Sequence, residues 1–260
     1  MWHELRLFLV ALQFLTRVPV PRGVGWREEW LHHSARHFPG VGLLVGALAS
    51  LVLWASAHVW PALVSVLLSM AFTVWLTGAF HEDGLADTCD GLGGAVERER
   101  ALAIMKDSRL GSYGAIGLVF VLALKAAALY ALATRDLHAT LALLPLAHAV
   151  SRAAAVVLLR LLPYGGDEAH AKAKPLARQV DGLDLVVALV WAALAFAVAA
   201  LYVPAAALAA AGAVSVAVTL WMARWLHRRL GGYTGDALGA TQQFCELAVL
   251  LAVLGVLAAG

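Results

Sequence analysis

Apolar residues run in long blocks along this chain of 260 residues, and polar segments separate the blocks. A bilayer core about 30 Å thick needs about 20 mostly apolar residues per helix. On that rule the pattern predicts seven membrane-spanning helices, near 41–58, 61–80, 113–134, 139–162, 184–202, 205–223 and 240–259. We therefore predict an all-α polytopic integral membrane protein, with one membrane-embedded domain over residues 1–260.

The N-terminal stretch "MWHELRLFLVALQFLTRVPVPRG" is apolar but interrupted by Arg6, Gln13 and Arg17. It lacks the small-residue cleavage pattern of a signal peptide. We expect it to be retained as an amphipathic helix at the membrane interface.

Composition agrees with a membrane protein, because 62% of the residues are hydrophobic, 14% are charged and the mean hydropathy is +0.80. The net charge of +2 is spread over separate loops and gives no indication of a nucleic-acid partner. Cys89 and Cys245 lie far apart, so we expect reduced thiols, with neither a disulfide framework nor a thiolate metal site.

The basic residues predict the orientation. Lys and Arg concentrate in the N-terminal segment and in the connections 81–112, 163–183 and 224–239, whereas the opposite side carries only Arg135. By the positive-inside rule, the N-terminus and these connections are expected on the cytoplasmic side.

An acidic motif, "AFHEDGLADTCDGLGG", follows the second predicted span at residues 79–94. Asp83, Asp87 and Asp90 are separated by steps of four and three residues and would line one face of a helix. Clustered carboxylates require a compensating cation, and ligands that are all oxygen favour Mg²⁺, Mn²⁺ or Ca²⁺. We predict a divalent metal site, with Glu82 as a fourth ligand. The alternative is a solvated acidic loop paired with nearby basic residues.

A second motif, "MKDSRLGSYGAIG", lies at residues 105–117 and has the composition of a phosphate cradle. It combines cationic side chains, hydroxyls and glycine N–H groups at the start of a helix. Its candidate phosphate-binding residues are Lys106, Ser108, Arg109, Gly111, Ser112 and Gly114. Beside the carboxylates it indicates phosphoryl or diphosphate chemistry, although glycines also serve close packing of membrane helices.

Charged residues inside predicted spans are costly unless they face a partner or a wet cavity. Arg152 has the planar fork that suits a phosphate or a carboxylate, and we predict that it binds substrate. Lys125 either extends the anion site inward or neutralises a buried carboxylate.

The last span begins with a polar stripe formed by Asp236, Gln243 and Glu246. Asp236 could complete the metal shell, and Gln243 and Glu246 are predicted to contact substrate. The alternative is a hydrogen-bonded seam between helices.

The segments "HEDGLADTCDGLGG" and "MKDSRLGSYG" closely resemble the adenosylcobinamide-GDP ribazoletransferase family, also called cobalamin synthase. "FLTRVPVP", "RHFPGVGLLVG" and "GGYTGDALGATQQFCE" are similar to further segments of that family. The resemblance implies an enzyme that joins adenosylcobinamide-GDP to α-ribazole, or to its 5′-phosphate, with release of GMP. It also implies a Mg²⁺-dependent protein of the bacterial cytoplasmic (inner) membrane. Whether the chain forms a homo-oligomer or acts with other enzymes of the cobalamin pathway stays open.

Applied to these residues, the family's reaction implies catalytic roles for Asp83, Asp87 and Asp90 through Mg²⁺. His81 is the nearest candidate for a general base, although a histidine at a membrane interface is often only structural.

Two other classes of function remain as alternatives. A CDP-alcohol phosphotransferase would show a longer DG–AR–G–D–D spacing, and a prenyltransferase would show a second Asp-rich motif, whereas segment 224–239 contains only Asp236. A transporter built from repeats would show matching broken spans in two halves, but the acidic cluster occurs once.

Overall fold

The computed structural model describes residues 2–25, 27–166 and 180–259, and within these ranges the chain is helical, with no β-strand. Its α-helices are α1 (Trp2–Leu15), α2 (Glu28–Ser34), α3 (Phe38–Ala57), α4 (Ala62–Thr77), α5 (Phe80–Leu92), α6 (Arg98–Met105), α7 (Ser112–Arg135), α8 (Leu137–Leu161), α9 (Gly182–Ala199), α10 (Ala205–Leu230) and α11 (Gly235–Ala259). Short 3₁₀ turns lie at Arg22–Val24 and Ala35–His37. Most of the predicted connection 163–183 falls outside the described residues.

Six helical segments are long and apolar enough to cross a membrane, and the bent pair α4–α5 makes a seventh if it is counted as one span. This finding confirms the prediction of an all-α polytopic membrane protein. Six of the predicted spans match α3 and α7 to α11, with boundaries that differ by several residues at some ends.

Helix α8 lies at the centre of the bundle, where it packs against α3, α9 and α11 and is the most buried of the long helices. Gly42 and Gly46 of α3 face it, one helical turn apart. A Cβ atom on Gly46 would lie 2.7 Å from the carbonyl oxygen of Leu144. Small residues let membrane helices approach this closely, and dispersion contacts then stabilise the pair.

The second predicted span, 61–80, ends early. Helix α4 stops at Gly78, and both Gly78 (φ 69°) and Ala79 (φ 59°) adopt left-handed backbone conformations. The next helix, α5, leaves this turn at an angle of 87° to α4. The segment predicted as a connection therefore holds two helices, α5 and α6, and the acidic motif lies on α5.

The N-terminal segment forms a helix, as predicted. One side of α1 is buried against its neighbours, with Leu7, Val10 and Ala11 fully covered. Its Glu4 carboxylate contacts Arg36 Nη1 at 3.1 Å and His37 Nε2 at 3.0 Å. These bonds hold α1 across the end of the bundle at which α3 begins.

Candidate functional site

The acidic motif meets the polar start of α11 because two glycines remove side chains from the contact. A Cβ atom on Gly84 of α5 would lie 2.7 Å from the carbonyl oxygen of Asp236, and one on Gly239 of α11 would lie 3.3 Å from the carbonyl oxygen of His81. Glycine inside α5 therefore permits close helix packing and does not break the helix. The contact places Asp236 beside the turn that carries Asp83 and Asp87.

The four acidic residues of α5 do not share one environment. Glu82 is buried, and its Oε1 accepts a hydrogen bond of 2.9 Å from Gln243 Nε2 on α11. Asp83 is exposed, and Asp87 and Asp90 are partly buried. Glu82 therefore belongs to a seam between α5 and α11, and so does Gln243, for which the sequence also allowed a substrate contact.

Asp90 holds the start of α7. Its Oδ2 accepts a bond of 2.7 Å from the N–H of Gly111, and its Oδ1 accepts a bond of 2.8 Å from the N–H of Gly114. The sequence predicted a metal-bound Asp90 and glycine N–H groups that bind phosphate. In the structure, these groups bind each other, because unpaired N–H groups at a helix start attract a nearby carboxylate.

The predicted metal ligands Glu82, Asp83, Asp87 and Asp90 are thus not gathered around one point. Within the described residues, the one group of three His, Asp or Glu ligand atoms within 4.8 Å of each other is His33, Asp181 and Asp184. There the guanidinium of Arg36 already supplies a positive charge, since its Nε donates to Asp184 Oδ1 at 2.6 Å. These contacts join the segment that precedes α3 to the start of α9 through an ion pair.

Asp83 and Asp87 lie one turn apart on α5, and the close contact at Gly84 brings the backbone of Asp236 on α11 next to α5. Asp83 is exposed, whereas Asp87 and Asp236 are each partly buried. A set of oxygen donors at the edge of an apolar bundle fits Mg²⁺, which keeps several of its water ligands and needs few carboxylates.

The predicted phosphate-binding side chains lie around the exposed connection between α6 and α7. Lys106, Ser108 and Ser112 are exposed there. Arg109 is paired with Asp107, with Nη2 and Oδ2 2.5 Å apart, and its side chain is 87% exposed. Hydrogen bonds from Arg109 lower the pKa of the Asp107 carboxyl to about 2. Arg109 is therefore an exposed surface cation in this structure, paired with Asp107 through Nε and Nη2.

Glu246, which was predicted to contact substrate, lies in a buried charge network. Lys125 Nζ pairs with its Oε1, and His148 Nδ1 lies 3.1 Å from its Oε2. Gln242 donates to the same carboxylate and contacts Ser151 Oγ at 3.1 Å. Of the two roles considered for Lys125, the structure shows neutralisation of a buried carboxylate. A charge at bilayer depth requires such a partner, and so Glu246 is occupied within the bundle.

A cavity lies beside the acidic motif, at the end of the bundle where α3 begins and α8 ends. Its empty volume is about 470 Å³, including the part open to the surroundings, and α1, α3, α5, α8 and α11 all contribute to its walls. Its polar side chains are His81, Arg152 and Gln242, and its aromatic ones are Phe14, Phe38 and Phe80.

Arg152 is 2% exposed and faces this cavity. Its Nη1 donates to the carbonyl oxygen of His148 at 2.9 Å, whereas its Nε has no hydrogen-bond partner among the described residues. Arg152 thus has an unused donor and lines the cavity, and its binding of substrate stays a prediction.

Sequence reasoning identified His81 and Arg152 but missed the other cavity residues. Three of the missed residues lie in segments that carried the family resemblance: Phe14 falls in "FLTRVPVP", Phe38 in "RHFPGVGLLVG" and Gln242 in "GGYTGDALGATQQFCE". Their meeting at one cavity could not be read from the sequence, because helical periodicity assigns a face to a residue but does not identify the neighbouring helix.

Comparison with known proteins gives the chain a context. The family model described as cobalamin-5-phosphate synthase matches residues 7–254. A protein of Leptothrix cholodnii named adenosylcobinamide-GDP ribazoletransferase is 64% identical over 250 residues, covering 96% of this chain and 95% of its own. Proteins of the same name from Polaromonas sp. (46% identical, 95% of each chain) and Vibrio cholerae (43% identical, 98% of this chain and 95% of its own) are also similar. No solved structure matches.

Proposed function

Because this chain belongs to the cobalamin-5-phosphate synthase family, we propose that it is an adenosylcobinamide-GDP ribazoletransferase. It joins adenosylcobinamide-GDP to α-ribazole, or to α-ribazole 5′-phosphate, and releases GMP. The observation that carries this function is the 64% identity, over 96% of the chain, to a protein of that name. The match extends over almost the whole length of both proteins, so it includes every element that lines the site.

The reaction replaces the anhydride bond of a diphosphate by a phosphate ester bond. A ribose hydroxyl of ribazole attacks the phosphorus attached to cobinamide, a new P–O bond forms, and the P–O bond to GMP breaks with GMP as the leaving group. The hydroxyl proton passes to a base. His81 is our candidate for that base, because it lies at the start of α5, next to the acidic motif, and lines the cavity. Positioning and charge stabilisation dominate such transfers.

Asp83, Asp87 and Asp236 are the residues that would hold Mg²⁺, whose charge, when it is bound, neutralises the negative charge that develops on the leaving phosphate. Glu82 and Asp90 support this set from its two sides, through Gln243 and through the start of α7. Lys106, Ser108, Arg109 and Ser112 supply donors for the phosphates of the GDP group.

The long apolar helices make the chain a multi-pass membrane protein. We assign it to the bacterial cytoplasmic membrane as a single domain, with the acidic motif on the cytoplasmic side. The excess of basic residues in the N-terminal segment and around the acidic motif supports that orientation.

The test is release of GMP by the purified chain in detergent, from adenosylcobinamide-GDP and α-ribazole 5′-phosphate, with and without Mg²⁺. We expect GMP and a corrinoid product in equal amounts, only when Mg²⁺ is present. No turnover of this pair by a folded sample, combined with turnover of a CDP-alcohol or a prenyl diphosphate, would overturn the proposal.

A further inference from the structure

The cavity beside the acidic motif has walls suited to a flat aromatic ring. The rings of Phe14 and Phe38 are stacked, with centroids 5.7 Å apart and planes 10° apart, and the ring of Phe80 meets Phe14 edge to face at 5.4 Å. Only Phe38 of the three is buried, while Phe14 is partly buried and Phe80 is 40% exposed. Aromatic faces that are still accessible can stack on a further ring.

Among the described residues, two buried side chains that line the cavity, Arg152 and Gln242, each have an unpaired polar atom. Within the described part of the chain, Arg152 Nε has no hydrogen-bond acceptor, and Gln242 Oε1 has no hydrogen-bond donor. Both side chains are at least 98% buried. An unused donor on a guanidinium and an unused amide acceptor cost free energy unless a ligand pairs with them. They match an anionic oxygen and a sugar hydroxyl, respectively.

We propose that this cavity is the binding subsite for the ribazole substrate, with the benzimidazole base among Phe14, Phe38 and Phe80 and the polar end at Arg152 and Gln242. The inference rests on the proposed function. Ribazole 5′-phosphate has the same order of chemical groups as the cavity: a flat apolar base, a sugar with hydroxyls and a phosphate. The corrinoid substrate, a corrin ring with an attached GDP, is far larger than this cavity, which lies between α1, α3, α5, α8 and α11.

The position of the cavity fits an attacking nucleophile. His81 lines it, and Asp83 follows two residues later on α5. Gly235 of α11 also lines it and directly precedes Asp236. The sugar between the base and the phosphate would thus lie near the carboxylates proposed to hold Mg²⁺, where the phosphorus of the other substrate must be.

Binding is measured directly, by equilibrium dialysis of α-ribazole 5′-phosphate and α-ribazole against the purified full-length chain without Mg²⁺. This measurement does not depend on turnover. We expect Phe14→Ala to weaken both ligands about tenfold, as loss of one stacking face does. Ala155→Leu, which places a larger side chain in the cavity, should weaken binding of both ligands at least as much. Phe120→Ala, at an exposed position on α7, is the matched control and should change neither.

Arg152 is tested by comparison of the two ligands. Arg152→Gln should weaken α-ribazole 5′-phosphate about a hundredfold and α-ribazole much less, because only the first carries the phosphate. Arg152→Lys keeps the positive charge, so it should retain part of the preference for α-ribazole 5′-phosphate over α-ribazole. It also tests whether the fold tolerates a change at this position. In steady-state assays, the variants at Phe14, Ala155 and Arg152 should raise KM for ribazole and leave KM for adenosylcobinamide-GDP within about twofold of its original value.

Two results would overturn the subsite. One is normal binding of both ribazole forms by Phe14→Ala and Ala155→Leu. The other is a rise, in these variants, of the KM for adenosylcobinamide-GDP alone, which would show that the cavity binds the corrinoid substrate. Both leave the proposed function standing, because the unsubstituted chain still turns over. Absence of ribazole binding and of GMP release by the unsubstituted, folded chain would instead reject the proposed function and the subsite with it.

Discussion

Asp90 accepts a hydrogen bond of 2.7 Å from the backbone N–H of Gly111, so the last turn of α5 holds the first turn of α7. Its second carboxylate oxygen accepts a hydrogen bond from the N–H of Gly114. A carboxylate at a helix N-terminus satisfies N–H groups that have no partner within the helix and interacts favourably with the helix dipole. Asp90 therefore positions the connection between α6 and α7, and its role as a metal ligand stays a prediction.

Asp90→Asn should lower stability, because an amide has one acceptor oxygen for two N–H groups and carries no charge. We expect a loss of about 1 kcal/mol, measured as the unfolding free energy in detergent. The Mg²⁺ concentration for half-maximal GMP release should not change. Glu97→Gln removes an exposed carboxylate just before α6 and is the control. A large rise in the Mg²⁺ requirement with unchanged stability would show that Asp90 binds the metal.

Asp87→Asn should have the opposite profile. Loss of one of three proposed carboxylate ligands is expected to lower kcat about a hundredfold and to raise the Mg²⁺ requirement, with little change in unfolding temperature. Mg²⁺ titrations of GMP release measure both effects, with Glu97→Gln again as the control. Full activity with an unchanged Mg²⁺ dependence would remove Asp87 from the metal site.

The apolar spans could be predicted from the sequence because bilayer thickness sets a minimum length for each helix. The turn after α4 could not, because it depends on Ala79 in a left-handed conformation, which a residue other than glycine or asparagine seldom adopts. In the structure Gly84 is helical, and its lack of a side chain serves the contact with α11.

For the candidate site, the residue types in the sequence indicated which side chains matter, but the sequence did not show which of them contact each other. The sequence identified Lys125 and Glu246 as costly charges within spans but not as partners, since they lie on helices far apart in the chain. Likewise Asp90 and Gly111 were assigned to a metal and a phosphate, although each is the other's partner. Which groups neutralise each other depends on which helices pack together. A single glycine can decide such a contact, as Gly84 does for the approach of α5 to Asp236.

Gly84→Ala tests this contact. A Cβ atom at position 84 would lie 2.7 Å from the carbonyl oxygen of Asp236, so α5 and α11 would have to separate. We expect a loss of about 2 kcal/mol of stability, as overpacking typically causes, and a lower kcat because Asp236 moves away from Asp87. Gly182→Ala is the matched control, since nothing lies within 4 Å of its new methyl group. Equal stability and activity of the two variants would contradict the close contact.

Arg109→Gln should affect substrate binding and leave stability unchanged, because the Arg109–Asp107 pair is exposed. We expect KM for adenosylcobinamide-GDP to rise about tenfold through loss of one charged phosphate contact, whereas Arg100→Gln, an exposed change on α6, should have no effect. The pKa of Asp107 is lowered to about 2, so the pair is lost only as the pH falls through about 2. A loss of activity between pH 7 and pH 4 would therefore come from other groups. An unchanged KM in Arg109→Gln would exclude this arginine from the phosphate site.

Lys125→Met should be strongly destabilising, because it leaves the carboxylate of Glu246 inside the bundle without its main counter-charge. Removal of one member of a buried ion pair costs about 3–5 kcal/mol, measured by thermal or denaturant unfolding in detergent. Adding Glu246→Gln should recover part of the loss, since the buried carboxylate that lost its partner is then replaced by a neutral amide. Arg160→Met, which removes an exposed cation near the end of α8, is the control and should change little. If Lys125→Met were as stable as the unsubstituted chain, His148 would carry the charge needed by Glu246, and the pair would be dispensable.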